Sequence, residues 1–229
     1  MKATTPVFFA LLALSSTATH GAITMLDSTE DGHIRSGSPS SNYESDSYGD
    51  RLLVGNHFEP HLADLRGLLQ FDVSAYAGMS INSVSLSLTQ VGGVAADDQA
   101  AGSFDILLKD MGTPFLDESV TWNSLTPAGG DVSGTVLSTV AAYTIPSSAG
   151  GTTTFATSSD FIAALEAAAN GSGVLSLVVY SPGAEALSGE SSFYRFDNLG
   201  TLTIDAVPEP TTAALSLLAA SAFLRRRRA

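Results

Sequence analysis

The sequence predicts an all-β fold, a two-sheet antiparallel sandwich with one short helix, on three observations. Apolar residues recur at every second position over short runs, Gly-, Ser-, Asn- and Pro-rich stretches separate those runs, and a single segment carries a helical period. Nothing repeats at a fixed period, and the uneven strand spacing disfavours a β-helix or solenoid.

The elements follow in chain order. Lys2, the apolar core Pro6–Leu14 and the small residues Ser15, Ser16, Thr17 and Ala18 form a secretory signal pattern, assigned to residues 1–22, with cleavage after Ala18 or after Ala22. The next stretch, "EDGHIRSGSPSSNYESDSYGDRLLVGN", reads as short strands separated by loops. "RGLLQFDV" (Arg66–Val73) and "INSVSLSLTQV" (Ile81–Val91) are the clearest strands. In the second, Val84, Leu86 and Leu88 alternate with Ser85, Ser87 and Thr89, so one face is buried and the other is wet. "GVAADDQAAGS" makes a loop and "FDILLKDM" a further strand. Trp122, the lone tryptophan, sits between β-branched and polar neighbours and is expected as a core anchor.

From Thr126 to Thr154 the chain is rich in Gly, Ser, Thr and Pro, with strands expected at Val136–Val140 and Thr152–Phe155. "SSDFIAALEAAANG" predicts the helix: Ser158 or Ser159 as cap, Asp160 in the first turn, Phe161, Leu165 and Ala168 on one face, and Gly171 as the stop. "GVLSLVVYS", "SSFYRF" and "TLTIDAV" close a domain of nine or ten strands, placed at residues 23–206.

Charge narrows the partners. Lys2, Arg225–Arg228 and Glu209 lie in the two ends, which leaves the body five basic and 22 acidic residues, a formal charge of −17. Such a surface repels phosphate backbones and excludes nucleic acid. The chain has no cysteine, so its core or bound cations must hold it together outside the cell. Acid excess without thiols favours Ca²⁺, and Asp27, Glu30 and Asp31 in one polar segment, with Asp46 and Asp50 in another, are the candidate oxygen ligands.

Catalytic patterns are missing from the sequence. It contains no G-x-S-x-G elbow, H-E-x-x-H, P-loop or dinucleotide fingerprint. In "HFEPH", His57, Glu59 and His61 would share a face if extended and could hold Zn²⁺, but Pro60 and the preceding Gly-Asn mark an exposed loop. Asp97-Asp98 and Asp117-Glu118 are adjacent in sequence, which in a strand sends the two acids to opposite faces instead of across one glycosidic bond. A non-enzymatic chain is therefore expected, with two competing readings. One is a polysaccharide hydrolase or lyase. The other is a lectin that stacks sugars on Tyr43, Tyr48, Trp122 or Tyr194.

Two resemblances add to this. Asp31, Asn42-Tyr43, Leu52–Gly55, Arg66–Asp72, Ser83–Leu88 and Trp122-Asn123 stand in an order that resembles the DNRLRE-type β-sandwich domain of secreted and surface proteins. The likeness spans about residues 30–206 and is strongest in the first half; Val84 stands where that family has Ala. The resemblance implies a jelly-roll-like sandwich associated with polysaccharide-active or cell-surface proteins. Some members bind acidic polysaccharides, for which Arg35, Arg51, Arg66, Lys109 and Arg195 are a poor lure unless Ca²⁺ bridges the charges.

The C-terminus, residues 207–229, resembles a PEP-CTERM sorting signal: Pro208-Glu209-Pro210, an apolar run through Leu224, and Arg225, Arg226, Arg227 and Arg228. That resemblance implies recognition and cleavage by a membrane protease of the exosortase type. It further implies a Gram-negative, exopolysaccharide-producing cell and a final address in the envelope, surface or extracellular matrix. Thr211–Leu224 is 14 residues long, about 21 Å of helix against a hydrocarbon core of about 30 Å. A transient, poorly anchored span suits a segment meant to be cut, with the arginines left on the cytoplasmic side.

Overall fold

The computed structural model describes residues 21–41, 51–57, 63–91, 103–116, 119–125, 134–143, 150–187, 192–197 and 199–208. Among them, eleven strands form two antiparallel sheets that pack as a sandwich. The smaller sheet runs β1 (Ala22–Asp27), β11 (Thr201–Pro208), β5 (Met79–Thr89) and β8 (Thr152–Phe155). The larger runs β10 (Ser192–Asp197), β3 (Arg51–His57), β4 (Ala63–Asp72), β9 (Val174–Tyr180), β6 (Phe104–Asp110) and β7 (Val136–Tyr143), with β2 (Glu30–Arg35) also paired to β4.

The period-2 pattern explains the smaller sheet. Leu86 pairs with Leu202 on one side and Phe155 on the other, and all three are buried. One residue along, Ser87 pairs with Thr201 and Thr154 and turns outward. Alternation thus sends one row to the core and the next to the surface. The inward row meets Leu69, Phe71, Leu177 and Val179 of the larger sheet in one continuous core.

The larger sheet follows a different rule. β4 and β9 are buried along most of their length, with Arg66, Leu68 and Gln70 inaccessible as well as Leu65, Leu69 and Phe71. A strand covered on both faces reads as a continuous apolar run, which is why "RGLLQF" and "VLSLVVY" do not alternate. The cover on the outer face is a second cluster in which Phe115, Val120 and Trp122 pack on Ile34, Leu68 and Val178.

The helix predicted from Ser158 to Gly171 is α2 (Ser159–Asn170), which buries Phe161, Leu165 and Ala169; Ala168 is only partly covered. Ser158 is its N-cap. Its hydroxyl accepts from Phe161 N–H at 3.0 Å and donates to the Leu137 carbonyl, tying the helix to β7. Gly171 ends the helix, with Gly171 and Gly173 both donating N–H to the Ala168 carbonyl and the positive φ of 77° falling on Gly173. Ser158→Ala is expected to lose about 1–2 kcal/mol of stability, the upper end of the cap range because two hydrogen bonds go together, read from a urea titration.

Besides this helix stand two single turns of four residues, α1 (Trp122–Leu125) and α3 (Pro182–Glu185). Both follow turn chemistry. The Thr121 and Ser124 hydroxyls exchange hydrogen bonds with each other's backbone around α1, and Pro182 opens α3 at N1. Each packs on the outer side of the larger sheet.

Candidate functional site

The outer face of β4 carries two polar side chains inside an apolar run, Arg66 and Gln70, and each is answered by a residue distant in sequence. Arg66 donates from Nε to Glu185 Oε1 at 2.9 Å and from Nη2 to Glu185 Oε2 at 2.8 Å. This two-pronged pair is nearly sealed, the side chains being 7% and 12% exposed. The guanidinium lies 4.5 Å from the Trp122 ring centroid and 5.5 Å from that of Tyr180. Lys109 adds its ammonium 5.2 Å from the Tyr180 ring. Burial pushes the Glu185 carboxyl above its ordinary range, a push that the Arg66 hydrogen bonds and charge only partly offset. The arrangement clamps α1 and α3 onto the sheet through a cation held between aromatic rings.

Gln70 is 8% exposed. Its Oε1 accepts from Phe115 N–H at 3.0 Å and from Ser176 Oγ at 3.1 Å. A backbone N–H can only donate, so the oxygen is fixed at that position and the amide nitrogen points elsewhere. Gln70 also lines an open cleft of about 450 Å³, walled by Pro114, Phe115, Leu116, Val120 and Leu125 with Thr113, Ser119 and Ser124.

Two other polar groups are structural in form. His33 Nε2 accepts from Arg35 Nε at 3.0 Å, which requires that nitrogen to be unprotonated, and Nδ1 then donates to the Arg51 carbonyl at 3.1 Å. This joins β2 to β3. Tyr143 donates to Gln90 Oε1 at 2.5 Å and stacks edge-on to Tyr194 at 5.0 Å. Burial pushes the Tyr194 phenol up to about 12.

The predicted site residues fare as follows. Asp27 ends β1, and Glu30 and Asp31 open β2. The Asp31 carboxylate accepts from Ser28 Oγ at 3.2 Å, and Asp27 accepts from Thr201 Oγ1 at 3.5 Å. Among the described residues, no group of three or more His, Cys, Asp or Glu side chains is placed to hold a metal ion. His57 ends β3 and packs on Phe193 at 5.1 Å, while Gly55 and Asn56, expected in a loop, lie within the strand. Trp122 and Tyr194 are core residues, at 7% and 0% exposure, so neither offers a free ring face for stacking. Pro208, assigned to the sorting signal, is the last residue of β11.

Tyr43, Tyr48, Asp46, Asp50, Glu59, His61, Asp97, Asp98, Asp117, Glu118, Glu209, Pro210 and Arg225–Arg228 lie outside the described residues. No described helix is long and apolar enough to cross a membrane.

Arg66–Glu185 and Gln70–Phe115 went unread in the sequence. A signal was nonetheless there: Arg66 and Gln70 are four apart in a strand, hence on one face, inside a run otherwise apolar on both faces.

No protein-family model matches the chain, and no curated protein matches it. The class that fold and geometry define is an antiparallel β-sandwich in which the central strands β4 and β9 of the larger sheet are buried along most of their length, with an open cleft of about 450 Å³ beside Gln70 of β4.

Proposed function

We propose that this chain is a non-enzymatic exported protein of the cell surface or extracellular matrix, associated with polysaccharide and processed at its C-terminus by an exosortase-type membrane protease. The observation that carries the reading is the order of the last 22 residues, Pro208-Glu209-Pro210, the apolar run Thr211–Leu224 and Arg225–Arg228, which begins where the sandwich's last strand ends.

That junction supports cleavage without damage. β11 pairs with β5 as far as Pro208–Met79, so a cut anywhere after Pro208 removes no described strand. Pro208 has no N–H to offer a continuing ladder. The N-terminal side is as clean. Ala22 opens β1 opposite Ala206, so signal cleavage after Ala18 keeps the strand whole, whereas cleavage after Ala22 removes its first residue. An acidic body with few cations suits a neutral or cation-bridged matrix better than a bare polyanion.

The test is processing in a Gram-negative host with and without an exosortase-type protease, followed by intact mass and fractionation of the exopolysaccharide. The expected result is protease-dependent loss of the Arg225–Arg228 end and recovery of the folded domain with the polysaccharide. Replacing the four arginines by glutamine is expected to leave the end intact. Identical masses with and without the protease overturn the sorting part of the reading.

A further inference from the structure

We propose that the edge strand β1, with the end of β11 beside it, is a membrane-docking surface: until the C-terminus is cut, the sandwich seats Ile23, Met25 and Val207 in the outer interface of the bilayer that holds the apolar run Thr211–Leu224. The inference rests on the sorting reading given above for the presence of that run in a membrane.

The first observation is what β1 displays. It is an edge of the smaller sheet, with β11 as its neighbour there. On the outer face of that sheet Ser83, Ser85 and Ser87 of β5 and Thr201 and Thr203 of β11 present hydroxyls, as a solvated face does. β1 departs from this. Ile23, opposite Asp205, and Met25, opposite Thr203, point the same way and are 72% and 70% exposed, more than any other large apolar side chain among the described residues. Val207 follows on β11, opposite Ser80. An edge that meets only water is commonly blunted by Lys, Pro or a bulge. β1, "AITMLD", carries none of these, and its register with β11 is unbroken. β8, the opposite edge, is four residues long and turns Thr152 and Thr154 outward.

The second observation is where the chain goes next. β11 ends at Pro208, so only Glu209 and Pro210 separate the sandwich from Thr211. Three Cα steps reach at most about 11 Å, which ties the exit of β11 to the start of the apolar run. That run has 14 residues, about 21 Å if helical, against a hydrocarbon core of about 30 Å. With Arg225–Arg228 held at the cytoplasmic face, the shortfall of about 9 Å falls on the outer side, where a short span thins the bilayer or draws its flanking residues into the interface. The residues drawn in are those beside the exit: Ala22 stands opposite Ala206, and Ile23 is about 10 Å from Pro208 along the strand direction.

Charge and hydrogen bonding set the depth. Asp27, at the far end of β1, is exposed and stays in water. Asp205 is partly covered, and its Oδ2 accepts from the Asn82 amide at 3.4 Å. The outward N–H and C=O groups of a sheet edge go unmet in hydrocarbon, whereas water and headgroups meet them in the interface. The attraction is apolar, since a body of formal charge −17 gains nothing from an anionic surface. A second copy is the other occupant such an edge admits, but one ladder of six residues, about 20 Å long and one strand wide, falls short of the roughly 1,000 Å² that a stable interface buries.

The experiment uses the chain exported by a host without the exosortase-type protease, with its Arg225–Arg228 end intact, reconstituted in phosphatidylcholine vesicles. The chain has no cysteine, so Thr24→Cys and, at the opposite end of the sheet, Thr152→Cys each carry a single environment-sensitive fluorophore at an exposed position. The expected result is a blue shift and quenching by headgroup-labelled nitroxide lipid for the probe at position 24, and neither for the probe at 152. Ile23→Ser with Met25→Ser is expected to keep the urea midpoint and to abolish that shift while the chain still floats with the vesicles. A shift that survives the double substitution overturns the proposal. So does a shift that grows with protein density and comes with cross-linking between two copies at position 24, which identifies a second copy as the occupant. Two probes that behave alike on a chain that floats with the vesicles remove the docking inference alone, whereas a chain that does not float removes the membrane part of the sorting reading as well.

Discussion

Arg66→Ala is expected to cost about 3–5 kcal/mol of stability, read as a lower urea midpoint at unchanged m-value. The loss comes less from the Coulomb attraction of the pair than from what is left behind. Both carboxylate oxygens of Glu185 are hydrogen-bonded to the guanidinium, at 2.9 and 2.8 Å, on a side chain only 12% exposed. Without Arg66 that carboxyl keeps its burial and loses both partners, and Trp122 loses the cation 4.5 Å from its ring, a further contribution of about 0.5–2 kcal/mol. Replacing both members by apolar residues, Arg66→Met with Glu185→Leu, is expected to recover most of the loss, because a sealed ion pair gains little over a well-packed apolar pair of similar volume.

The same pair has a pH signature with a defined sign. Burial holds the folded-state pKa of Glu185 above its ordinary value of 4.5. In the window between the unfolded and folded values, the folded state binds more protons, so stability falls as pH rises. The contribution is fully present below the ordinary glutamate value and is lost as pH climbs through the raised one. Wild type compared with Glu185→Gln is therefore expected to show a stability difference that shrinks upward through that window. A difference that is flat across it, or that grows, means that the Arg66 hydrogen bonds outweigh burial.

The contrast between what was readable in the sequence and what was not follows the range of the interactions. Val84, Leu86 and Leu88 were legible because a strand with one wet face writes its period into six consecutive residues. Phe161 and Leu165 were legible for the same local reason at helical spacing, and Ala168 packs against the core beside the buried Ala169. Trp122 was read correctly as an anchor, but its main partner, Arg66, lies 56 positions earlier, and no pattern within a short window could have joined them. Gln70 is the clearest case: its role depends on Phe115 and Ser176, 45 and 106 residues away. The acids Asp27, Glu30 and Asp31 were grouped by proximity in sequence, whereas the corner at Ser28 and Thr29 sends Asp27 into the smaller sheet and the other two into the larger one.

Gly55 supplies the second large effect, and it also explains why a Gly-Asn pair expected in a loop sits within a strand. β3 is flanked at this residue on both sides, by Phe193 of β10 and by Leu65 of β4, and the backbone adopts φ 125° to fit between them. A Cβ built there would lie 2.2 Å from the Ser192 carbonyl oxygen and 2.9 Å from Phe193 Cα, both backbone atoms that cannot rotate away. Gly55→Ala therefore combines a backbone conformation costing about 1–3 kcal/mol for an L-residue with a forced contact costing about 1–3 kcal/mol more. A total of roughly 2–6 kcal/mol is expected from equilibrium unfolding. Gly32 on β2 is the control: its φ is unstrained and a Cβ would meet nothing within 4 Å. Gly32→Ala removes freedom from the unfolded chain alone and is expected to be neutral to stabilising by up to about 1 kcal/mol. If the two substitutions cost the same, the tight three-strand junction at Gly55 does not exist in solution, and the path of the larger sheet from β10 through β3 to β4 would have to be redrawn.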